Sequence, residues 1–475
     1  MSPIETVEQG FAWVESFHAL DRGGYSARRH RLARMRRILA AFGDPHLACP
    51  VIHVAGSKGK GSTAVLIASA LDAAGIRCGL FTSPHVESYR ERVRVLDGSL
   101  TDEIAIGMFG EMHTHFESLR TELDPPELPT VFELLTLYGF LCFRAACSDV
   151  AVIEVGIGGR IDATNLVRPR ASVITRIDLE HTELLGHTLR AIAGEKGGII
   201  KSGVPVFVGE QEPEAMRTLE RIAALRGARF TRSDSVTEVR SSPAADGGTE
   251  ARIDFAGGEQ IDVRLRLTGA VQARNAALAA VTLRETFPQL STRAIAEGFS
   301  RAFLPGRSEI IRSAPTLLLD GAHTRQSIAL LCDSARLLCP DREQRVVVFG
   351  AVSGKDHEGM LRELASTFSR IIIAQPGTFK KSDTASLHAL CVSVGGACEL
   401  HDDPAGALAL AHASLADASS TGLIVVAGSF YLVGEVRAHL RREGFFSGDD
   451  DEATPQTELS SDRTRRQNPQ SPPGA

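Results

Sequence analysis

Lysines and glycines alternate in one short stretch that has the composition of a phosphate-binding loop. The segment 51–63 reads VIHVAGSKGKGST; its apolar start predicts a buried strand, and the apolar run from Ala64 predicts a helix. Between a strand and a helix, a glycine-rich loop lets backbone N–H groups and the helix N-terminus surround an anion. Lys60 could reach the terminal phosphates of a nucleotide, and Ser62 could bind Mg²⁺. The alternative is a β–α turn without a ligand, but two lysines in so tight a turn favour an anion.

The loop departs from the strict P-loop pattern at two positions. That pattern has Gly at position 54 and Ser or Thr directly after the lysine. This chain instead has Val54 and Gly61, with Ser62 one residue later. By itself, the loop therefore predicts phosphate binding without specifying the reaction.

Acidic and imidazole side chains at the ends of other apolar strands are candidate metal ligands. Glu154 ends the apolar strand 149–154, and a lone acid there is costly unless it is paired or binds a metal. We predict that Glu154 binds Mg²⁺, as the corresponding acid of a P-loop enzyme does; a buried salt bridge is the alternative. Ser83 follows another strand and could offer its hydroxyl to the same ion. His181, beside acids at a later strand end, suits a divalent cation, the alternative being an ordinary loop histidine.

Other polar side chains could contact a substrate. A glycine-rich loop carries Asp162, Thr164 and Asn165, and its glycines allow close approach of the backbone to a ligand. Thr130 and Phe132, at the start of a predicted helix, could border a planar ligand.

Two further residues lie on predicted helices. Lys196 stands in an apolar helix face, where it could be a partly buried cation near the phosphates or a surface ion pair. Asn275 lies on the first turns of an Ala-rich helix, where it could contact an adenine or ribose. An amide at such a position is more often a surface or capping group.

The strands that carry these residues alternate with helices, and the pattern changes near residue 300. Beyond it, a strand ending in Asp320 and His323 begins a second series of strand–helix pairs. We therefore predict an α/β fold with a P-loop-type, mostly parallel sheet domain over residues 1–300. A smaller Rossmann-like α/β C-terminal domain follows over residues 301–446. The polar, Pro-rich segment 447–475 is predicted to be disordered.

Composition excludes several classes of protein. The 475 residues carry a net charge of −6, which argues against wrapping nucleic acid. The eight cysteines are scattered without CxxC pairs and indicate reduced thiols. We find no apolar run long enough for a membrane span and no signal-peptide pattern. We expect a cytoplasmic protein that acts on small molecules, without nucleic-acid or membrane partners, and a monomer.

Several motifs, taken together in order, resemble the folylpolyglutamate synthase/dihydrofolate synthase family of the Mur ligase superfamily. They are VIHVAGSKGKGST, FTSPHV followed by ERVRV, VIEVGIGGRIDATN, GEKGGIIK, LPGR, LDGAH and GSFYL, and the match covers about residues 25–440. The resemblance implies an ATP-dependent ligase that adds L-glutamate through an acyl phosphate. The acceptor would be dihydropteroate, the γ-carboxyl of (tetrahydro)folate glutamate tails, or both.

The resemblance also implies a role for each site residue. The phosphates of ATP would contact Gly56, Ser57, Lys58, Gly59, Lys60, Gly61 and Ser62, and other parts of ATP would contact Asn275, Arg307 and Asp320, with Asp320 at the ribose. One Mg²⁺ would be held by Ser62, Ser83 and Glu154, and a second by His181 and Lys196, a lysine that is typically carbamylated in the family. The pterin would be bordered by Thr130, Phe132, Asp162, Thr164 and Asn165, and the glutamate and acyl-phosphate end by Ser429 and His323. The residues expected to act in catalysis are Lys60, Lys196 and His323.

Three positions depart from the pattern of the family. Glu180 stands before His181 where the family usually has Asp. Lys58 stands in the phosphate loop where Asn is common. The usual His-Asn-Pro after Asp320 is His323-Thr324-Arg325.

Two other functions remain as alternatives. A peptidoglycan-precursor ligase with a UDP-linked substrate shares this fold and chemistry, but it usually carries an additional N-terminal domain. A P-loop ATPase would hydrolyse ATP without ligating glutamate.

Overall fold

The computed structural model describes residues 3–17, 31–120, 128–244, 248–377, 382–415 and 422–446, and the statements below refer to these ranges. The segment 447–475, predicted to be disordered, lies outside them.

Helices and strands alternate through most of the described chain. The helices are α1 (Val7–Glu15), α2 (Arg31–Ala41), α3 (Lys60–Ala73), α4 (Asp102–Arg120), α5 (Val131–Ala145), α6 (Thr182–Leu185), α7 (Leu189–Lys196), α8 (Pro213–Leu225), α9 (Ser233–Val236), α10 (Ala270–Thr286), α11 (Thr292–Arg301), α12 (Arg325–Leu338), α13 (His357–Thr367), α14 (Thr384–Ser393), α15 (Pro404–Ser414) and α16 (Phe430–Arg442). The strands are β1 (Val51–Ala55), β2 (Cys78–Phe81), β3 (Val93–Val95), β4 (Val150–Glu154), β5 (Pro169–Ile174), β6 (Val206–Val208), β7 (Phe230–Arg232), β8 (Thr237–Pro243), β9 (Thr249–Phe255), β10 (Gln260–Leu265), β11 (Glu309–Ser313), β12 (Thr316–Leu319), β13 (Arg345–Phe349), β14 (Arg370–Ala374), β15 (Cys398–His401) and β16 (Leu423–Ala427).

The first sheet has seven strands in the order β3-β2-β4-β1-β5-β6-β7, and all its neighbours are parallel except β2 and β3. β1 is central and all of its residues are buried, because helices cover both faces of a parallel sheet. The register pairs Val54 with Glu154 and Ala55 with Ile174. The loops that follow β1, β4 and β5 therefore leave the sheet at one edge, as the sequence predicts.

A short strand at the edge of this sheet differs from its sequence pattern. The alternation over residues 91–95 predicts a strand, but only Val93–Val95 pairs with β2. Residues Tyr89–Arg92 form a 3-10 turn, because Ser88 and Glu91 make a capping box. The Glu91 carboxylate also accepts hydrogen bonds from the backbone N–H of Val86 and Glu87, each at 2.7 Å.

A small antiparallel sheet, in the order β10-β9-β8, follows the first one. Alternate residues of β9 and β10 are buried, and they share a hydrophobic core with α3, α10 and α11. This packing holds α10 beside the loop between β1 and α3.

The second α/β sheet has the order β11-β12-β16-β13-β14-β15. It is parallel except for β11, which pairs antiparallel with β12. The sequence predicts its apolar central strands and the helices between them. It did not predict β11 and β15, two edge strands without an apolar run. With both sheets in place, the predicted α/β class and mostly parallel topology are confirmed.

Candidate active site

The phosphate loop is held in shape by glycines and by the neighbouring strand. Gly56 and Gly59 have φ values of +150° and +83°, a region that side chains rarely adopt. A Cβ atom on Gly56 would lie 1.8 Å from Thr175 Oγ1, and one on Gly59 would lie 2.5 Å from Asn275 Oδ1. Both positions therefore require glycine.

Two backbone N–H groups of the loop are already bonded. Ser57 N and Lys58 N both donate to the carbonyl oxygen of Arg176, at 2.8 and 3.1 Å, and the Ser57 hydroxyl donates to the carbonyl oxygen of Asp178. These bonds tie the loop to the end of β5. The N–H groups at the start of α3 are the ones that remain for an anion, because the first turn of a helix leaves them without an intrahelical partner.

Glu154 lies beside the start of α3. Its side chain is buried, and Oε2 accepts a hydrogen bond of 2.9 Å from Ser83 N. Burial raises the pKa of Glu154, whereas the charges of Lys60, Arg307 and Arg92 oppose the rise. Within the described residues no lysine or arginine nitrogen lies within 4.0 Å of this carboxylate, so the salt-bridge alternative has no support.

One cavity brings several predicted site residues together. Its lining includes Gly61, Ser83, Glu154 and Arg307. Gly61, Ser83 and Glu154 lie at or just after the ends of strands in the first sheet. Arg307 lies just before β11, the first strand of the second sheet. The cavity therefore lies where the two sheet regions meet.

Lys196 is a buried cation at the floor of the phosphate loop. Its Nζ donates to the carbonyl oxygen of Gly56 at 2.6 Å and to Glu180 Oε1 at 2.9 Å. Burial lowers the pKa of Lys196 to about 8, despite the opposing charge of Glu180. Although burial alone would raise it, the charges of Lys60 and Lys196 lower the pKa of Glu180 to about 2. The surface ion pair considered for Lys196 is therefore wrong, since the pair is buried.

His181 follows Glu180 directly and has a left-handed backbone with φ +48°. Burial lowers its pKa, and Glu180 opposes that shift. A neutral imidazole next to a carboxylate is suitable for a divalent cation. Among the described residues, however, no cluster of three or more His, Cys, Asp or Glu side chains forms a ready metal site.

The second sheet contributes a group of residues around Phe430. The Arg307 guanidinium lies over the Phe430 ring at 4.2 Å, and the His323 ring meets the same ring edge-on at 5.7 Å. His323 Nδ1 lies 2.7 Å from the carbonyl oxygen of Gly321, which places the ring hydrogen on Nδ1 and the lone pair on Nε2. Burial lowers the pKa of His323 to about 4. This histidine is therefore neutral near pH 7.

Asp320 is half-buried, and its partial removal from water raises its pKa against the effect of Arg307. Its Oδ2 accepts hydrogen bonds from Ser308 N and Oγ at 2.8 and 2.9 Å, and its Oδ1 accepts one from Ala322 N at 2.7 Å. These bonds hold the turn before β11 against the end of β12. The contact of Asp320 with a ribose stays a prediction.

Lys58 connects the phosphate loop to the second sheet region. Its Nζ donates to Thr324 Oγ1 at 3.3 Å, and burial lowers its pKa. Thr324 is the N-cap of α12 and forms a capping box with Ser327. Two of the three departures from the family pattern are therefore in contact with each other.

The residues predicted to border the pterin occupy two neighbouring segments. The Phe132 ring lies against Gly156, where a Cβ atom would approach within 2.5 Å. Thr130 is the N-cap of α5 and forms a capping box with Glu133. Glu133 also pairs with Arg34 at 2.8 Å in a buried ion pair.

Hydrogen bonds hold the remaining predicted substrate and ATP residues. Asn165 Nδ2 donates to the carbonyl oxygens of Arg160 and Gly198, and the Ser429 hydroxyl accepts from Leu432 N as the N-cap of α16. Asn275 contacts the phosphate loop on one side and lines a cavity of about 330 Å³ on the other. The roles of these residues toward ligands stay predictions.

Sequence reasoning missed the charged contacts that join the two sheet regions. The Glu87 carboxylate pairs with Arg437 and, at 2.9 Å, with Arg441 of α16. Arg437 also pairs with Glu309 at 3.0 Å. No local pattern marks these partners, because they are more than 100 residues apart in the chain.

Comparison with known proteins places the chain in a family. Residues 54–283 match the Mur ligase middle domain, and residues 306–430 match the Mur ligase glutamate ligase domain. The chain is 34% identical over 445 residues to the folylpolyglutamate synthase of Lacticaseibacillus casei, covering 93% of this chain and 99% of that protein. It belongs to the folylpolyglutamate synthase/dihydrofolate synthase family. It is therefore an ATP-dependent ligase, as the sequence motifs implied, and neither alternative function is supported.

Other members of the folylpolyglutamate synthase/dihydrofolate synthase family agree in sequence and in structure. The dihydrofolate synthase/folylpolyglutamate synthase of Bacillus subtilis is 30% identical, with 86% of this chain and 95% of that protein covered. The Mycobacterium tuberculosis folylpolyglutamate synthase complexed with ADP superposes with a TM-score of 0.82 at 29% identity, over 91% of this chain and 98% of that one. Escherichia coli FolC in complex with DHPP and ADP superposes with a TM-score of 0.77 at 30% identity, over 94% of this chain and 100% of that one. In the described residues, none of the helices has the length and apolar character needed to cross a membrane.

Proposed function

We propose that this ligase joins L-glutamate to dihydropteroate, to the γ-carboxyl of folate glutamate tails, or to both. One observation carries the proposal. The start of α3, the Glu154 carboxylate and Arg307 all face one cavity between the two sheet regions. This arrangement supports the proposal, because a helix N-terminus suits a phosphate, a buried carboxylate suits Mg²⁺ and a guanidinium suits an anion.

The donor set fits Mg²⁺. Hard cations prefer oxygen ligands, and the buried Glu154 carboxylate has no cationic partner within 4.0 Å among the described residues. We propose Ser62, Ser83 and Glu154 for one ion and His181 with Lys196 for a second. When bound, Mg²⁺ supplies positive charge that offsets the phosphates of ATP and permits an anionic carboxylate to approach.

The lowered basicity of the Lys196 amine supports its carbamylation. An amine must be neutral to react with CO₂, and burial lowers the pKa of Lys196 to about 8. A carbamate at Lys196 would carry a negative charge beside Glu180, and a second Mg²⁺ held there would offset both charges.

We propose that the reaction proceeds by two successive displacements, first of ADP and then of inorganic phosphate. Lys60, at the start of α3, stabilises charge on the terminal phosphate while an acceptor carboxylate oxygen attacks the phosphorus and ADP leaves. The product is an acyl phosphate. The amine of L-glutamate attacks the carbonyl carbon of this acyl phosphate, and inorganic phosphate leaves.

We propose that His323 orients the incoming amine. Its neutral ring offers a lone pair at Nε2, because Nδ1 bonds to the carbonyl oxygen of Gly321. With a pKa of about 4, it is a weak base and acts mainly as a hydrogen-bond acceptor. Ser429 is proposed to lie at the same end of the site.

The remaining ligand contacts are proposed on the same basis. ATP would contact Gly56, Ser57, Lys58, Gly59, Lys60, Gly61, Ser62, Asn275, Arg307 and Asp320, and the pterin would contact Thr130, Phe132, Asp162, Thr164 and Asn165. We also propose the domain division at residues 300 and 301, a monomer, a cytoplasmic location and small molecules as the only partners.

ADP release in the presence of L-glutamate tests this function. The assay crosses dihydropteroate with tetrahydrofolate, and we expect glutamate-dependent ADP with at least one of them. Lys60→Ala should abolish it without unfolding the protein, whereas Arg217→Ala, which removes an exposed cation from α8, should retain it. ADP release that does not depend on glutamate with either acceptor would contradict the proposal.

A further inference from the structure

A histidine in the middle of β1 has no role in the chemistry described above. The His53 ring is fully buried in the first sheet, where its strand neighbours are Ile153 and Ser172. A buried polar ring is costly unless it is hydrogen-bonded. Its partner is Thr164, whose Oγ1 lies 2.9 Å from His53 Nε2.

The direction of each hydrogen bond follows from the partners. Thr164 Oγ1 lies 2.5 Å from Asp162 Oδ1, and a carboxylate can only accept. The Thr164 hydroxyl hydrogen therefore points to Asp162, so Oγ1 must accept from His53. This fixes the hydrogen of the imidazole ring on Nε2.

The chain of bonds ends on the backbone of the loop 156–165. Asp162 Oδ1 accepts from Thr164 N at 3.0 Å, and Asp162 Oδ2 accepts from Ile157 N at 3.1 Å. Both ends of the loop are thus held through one carboxylate. Of the four residues named here, His53 is the one that belongs to a sheet strand.

The histidine acts as a neutral donor. Burial, with a smaller contribution from Lys201, lowers the pKa of His53 to about 3. Its Nδ1 is buried without a hydrogen-bond partner among the described residues. The bond to Thr164 is therefore the polar contact that accounts for an imidazole at this position.

We propose that His53 is a positioning residue: through Thr164 and Asp162 it holds the loop 156–165 in the conformation that receives the acceptor substrate. This inference rests on the proposed function. β1 also runs into the phosphate loop, which begins at Gly56 three residues later. One buried strand would then set the distance between bound ATP and the acceptor carboxylate, which matters because reactant alignment governs the rate.

Two substitutions at position 53 separate the hydrogen bond from the ring. His53→Gln can place an amide N–H near the position of Nε2, whereas the shorter side chain of His53→Asn cannot reach Thr164. We expect His53→Asn to raise KM for the acceptor by about tenfold, equivalent to one hydrogen bond of about 1.4 kcal/mol. KM for ATP should change by less than about twofold, and His53→Gln should restore most of the acceptor KM.

A double-mutant cycle tests whether the effect passes through Thr164. Thr164→Val removes the hydroxyl at nearly constant volume, and we expect His53→Asn combined with Thr164→Val to be no worse than Thr164→Val alone. Val152→Ala removes core volume from β4 without touching these bonds. It should lower stability and leave the acceptor KM unchanged.

Hydrogen exchange of the backbone amides of loop 156–165, without any substrate, separates this inference from the proposed function. We expect faster exchange at Ile157 and Thr164 in His53→Asn than in His53→Gln. Exchange and acceptor KM that are equal in the two variants would overturn the inference. If the wild type releases no glutamate-dependent ADP, the proposed function fails, and the part of the inference that concerns the acceptor substrate fails with it. The rates of hydrogen exchange at Ile157 and Thr164 then decide whether His53 anchors the loop.

Discussion

Three lysine side chains are grouped around the phosphate loop. Lys58, Lys60 and Lys196 lie near one another, and Glu180 is the carboxylate that interacts with all three. Burial lowers the pKa of both Lys58 and Lys196, which means that their charged forms are poorly compensated. Binding of a polyanion would compensate them, and this favours ATP over a neutral ligand.

At the residue scale, His53 gives a prediction for stability against pH. Burial lowers its pKa from 6.5 to about 3 in the folded state, so below pH 6.5 the unfolded chain binds a proton that the folded chain does not. The free energy of unfolding therefore falls as the pH decreases from 6.5 toward 3, by up to about 1.4 kcal/mol per pH unit from this group. We expect His53→Gln to make the slope shallower, measured by urea unfolding across this range.

His85 remains in both proteins and provides an internal reference. Burial and Arg92 lower its pKa to about 3 as well, so part of the slope should persist in the variant. Identical slopes for wild type and His53→Gln would contradict a neutral, buried His53.

A second prediction at this scale concerns the ion pair of Arg34 and Glu133. Both side chains are buried, and Glu133 additionally accepts from Thr130 N at 2.8 Å. Glu133→Gln removes the carboxylate charge that faces the buried Arg34 guanidinium, and we expect a loss of about 1–3 kcal/mol in the free energy of unfolding. Glu220→Gln, on the exposed face of α8, should change it by less than about 0.5 kcal/mol. Similar values for the two variants would show that Arg34 is solvated.

Among the elements, α16 makes a close contact with the loop after β2. A Cβ atom on Gly434 would lie 2.1 Å from the carbonyl oxygen of Val86. This loop also provides Ser83, whose N–H bonds to Glu154. The helix therefore supports the segment that carries a proposed metal ligand.

We expect Gly434→Ala to displace this loop and to reduce kcat/KM for ATP by about tenfold or more. Gly107→Ala is the matched control, because Gly107 lies in α4, where an added Cβ atom would meet no neighbouring group within 4 Å. That variant should be slightly more stable, by about 1 kcal/mol, through helix propensity. Equal kinetics for the two variants, measured by ADP release, would argue against the contact.

The sequence was informative about elements wherever a run of apolar residues specified a buried strand. β1, β4 and β13 are fully buried, and their runs predict them. β11 and β15 lie at sheet edges, where one side lacks a partner and the pattern is weak. Local motifs likewise predict the phosphate loop, but the bond from His53 to Thr164 joins residues 111 positions apart, which no local pattern records.

For the whole molecule, long-range contacts decide how the two sheet regions are joined. Glu87 of the first region pairs with Arg437 and Arg441 in the last helix, and Lys58 bonds to Thr324. The phosphate loop and the segment that carries Ser83, the partner of Glu154, are thus both connected to the second region. Ligand binding to the first sheet region should therefore depend on its contacts with the second region.

Glu87→Gln tests this connection. The side chain of Arg437 is only 2% exposed and keeps Glu309 as a partner, so we expect a loss of about 1–3 kcal/mol in unfolding free energy rather than that of a fully unpaired charge. Because the joint between the regions is weakened, we also expect the calorimetric transition to broaden or separate into two. Glu8→Gln, which removes an exposed partner of Arg90, should leave the transition within about 0.5 kcal/mol of wild type.

A nonhydrolysable ATP analogue tests whether ATP binds between the two regions. At 100 times its Kd, the analogue should add about 2.7 kcal/mol to the free energy of unfolding of wild type and of Glu87→Gln. It should also bring the two regions of Glu87→Gln back to one transition if ATP binds between them. Two transitions that persist with the analogue bound would mean that ATP contacts only the first region.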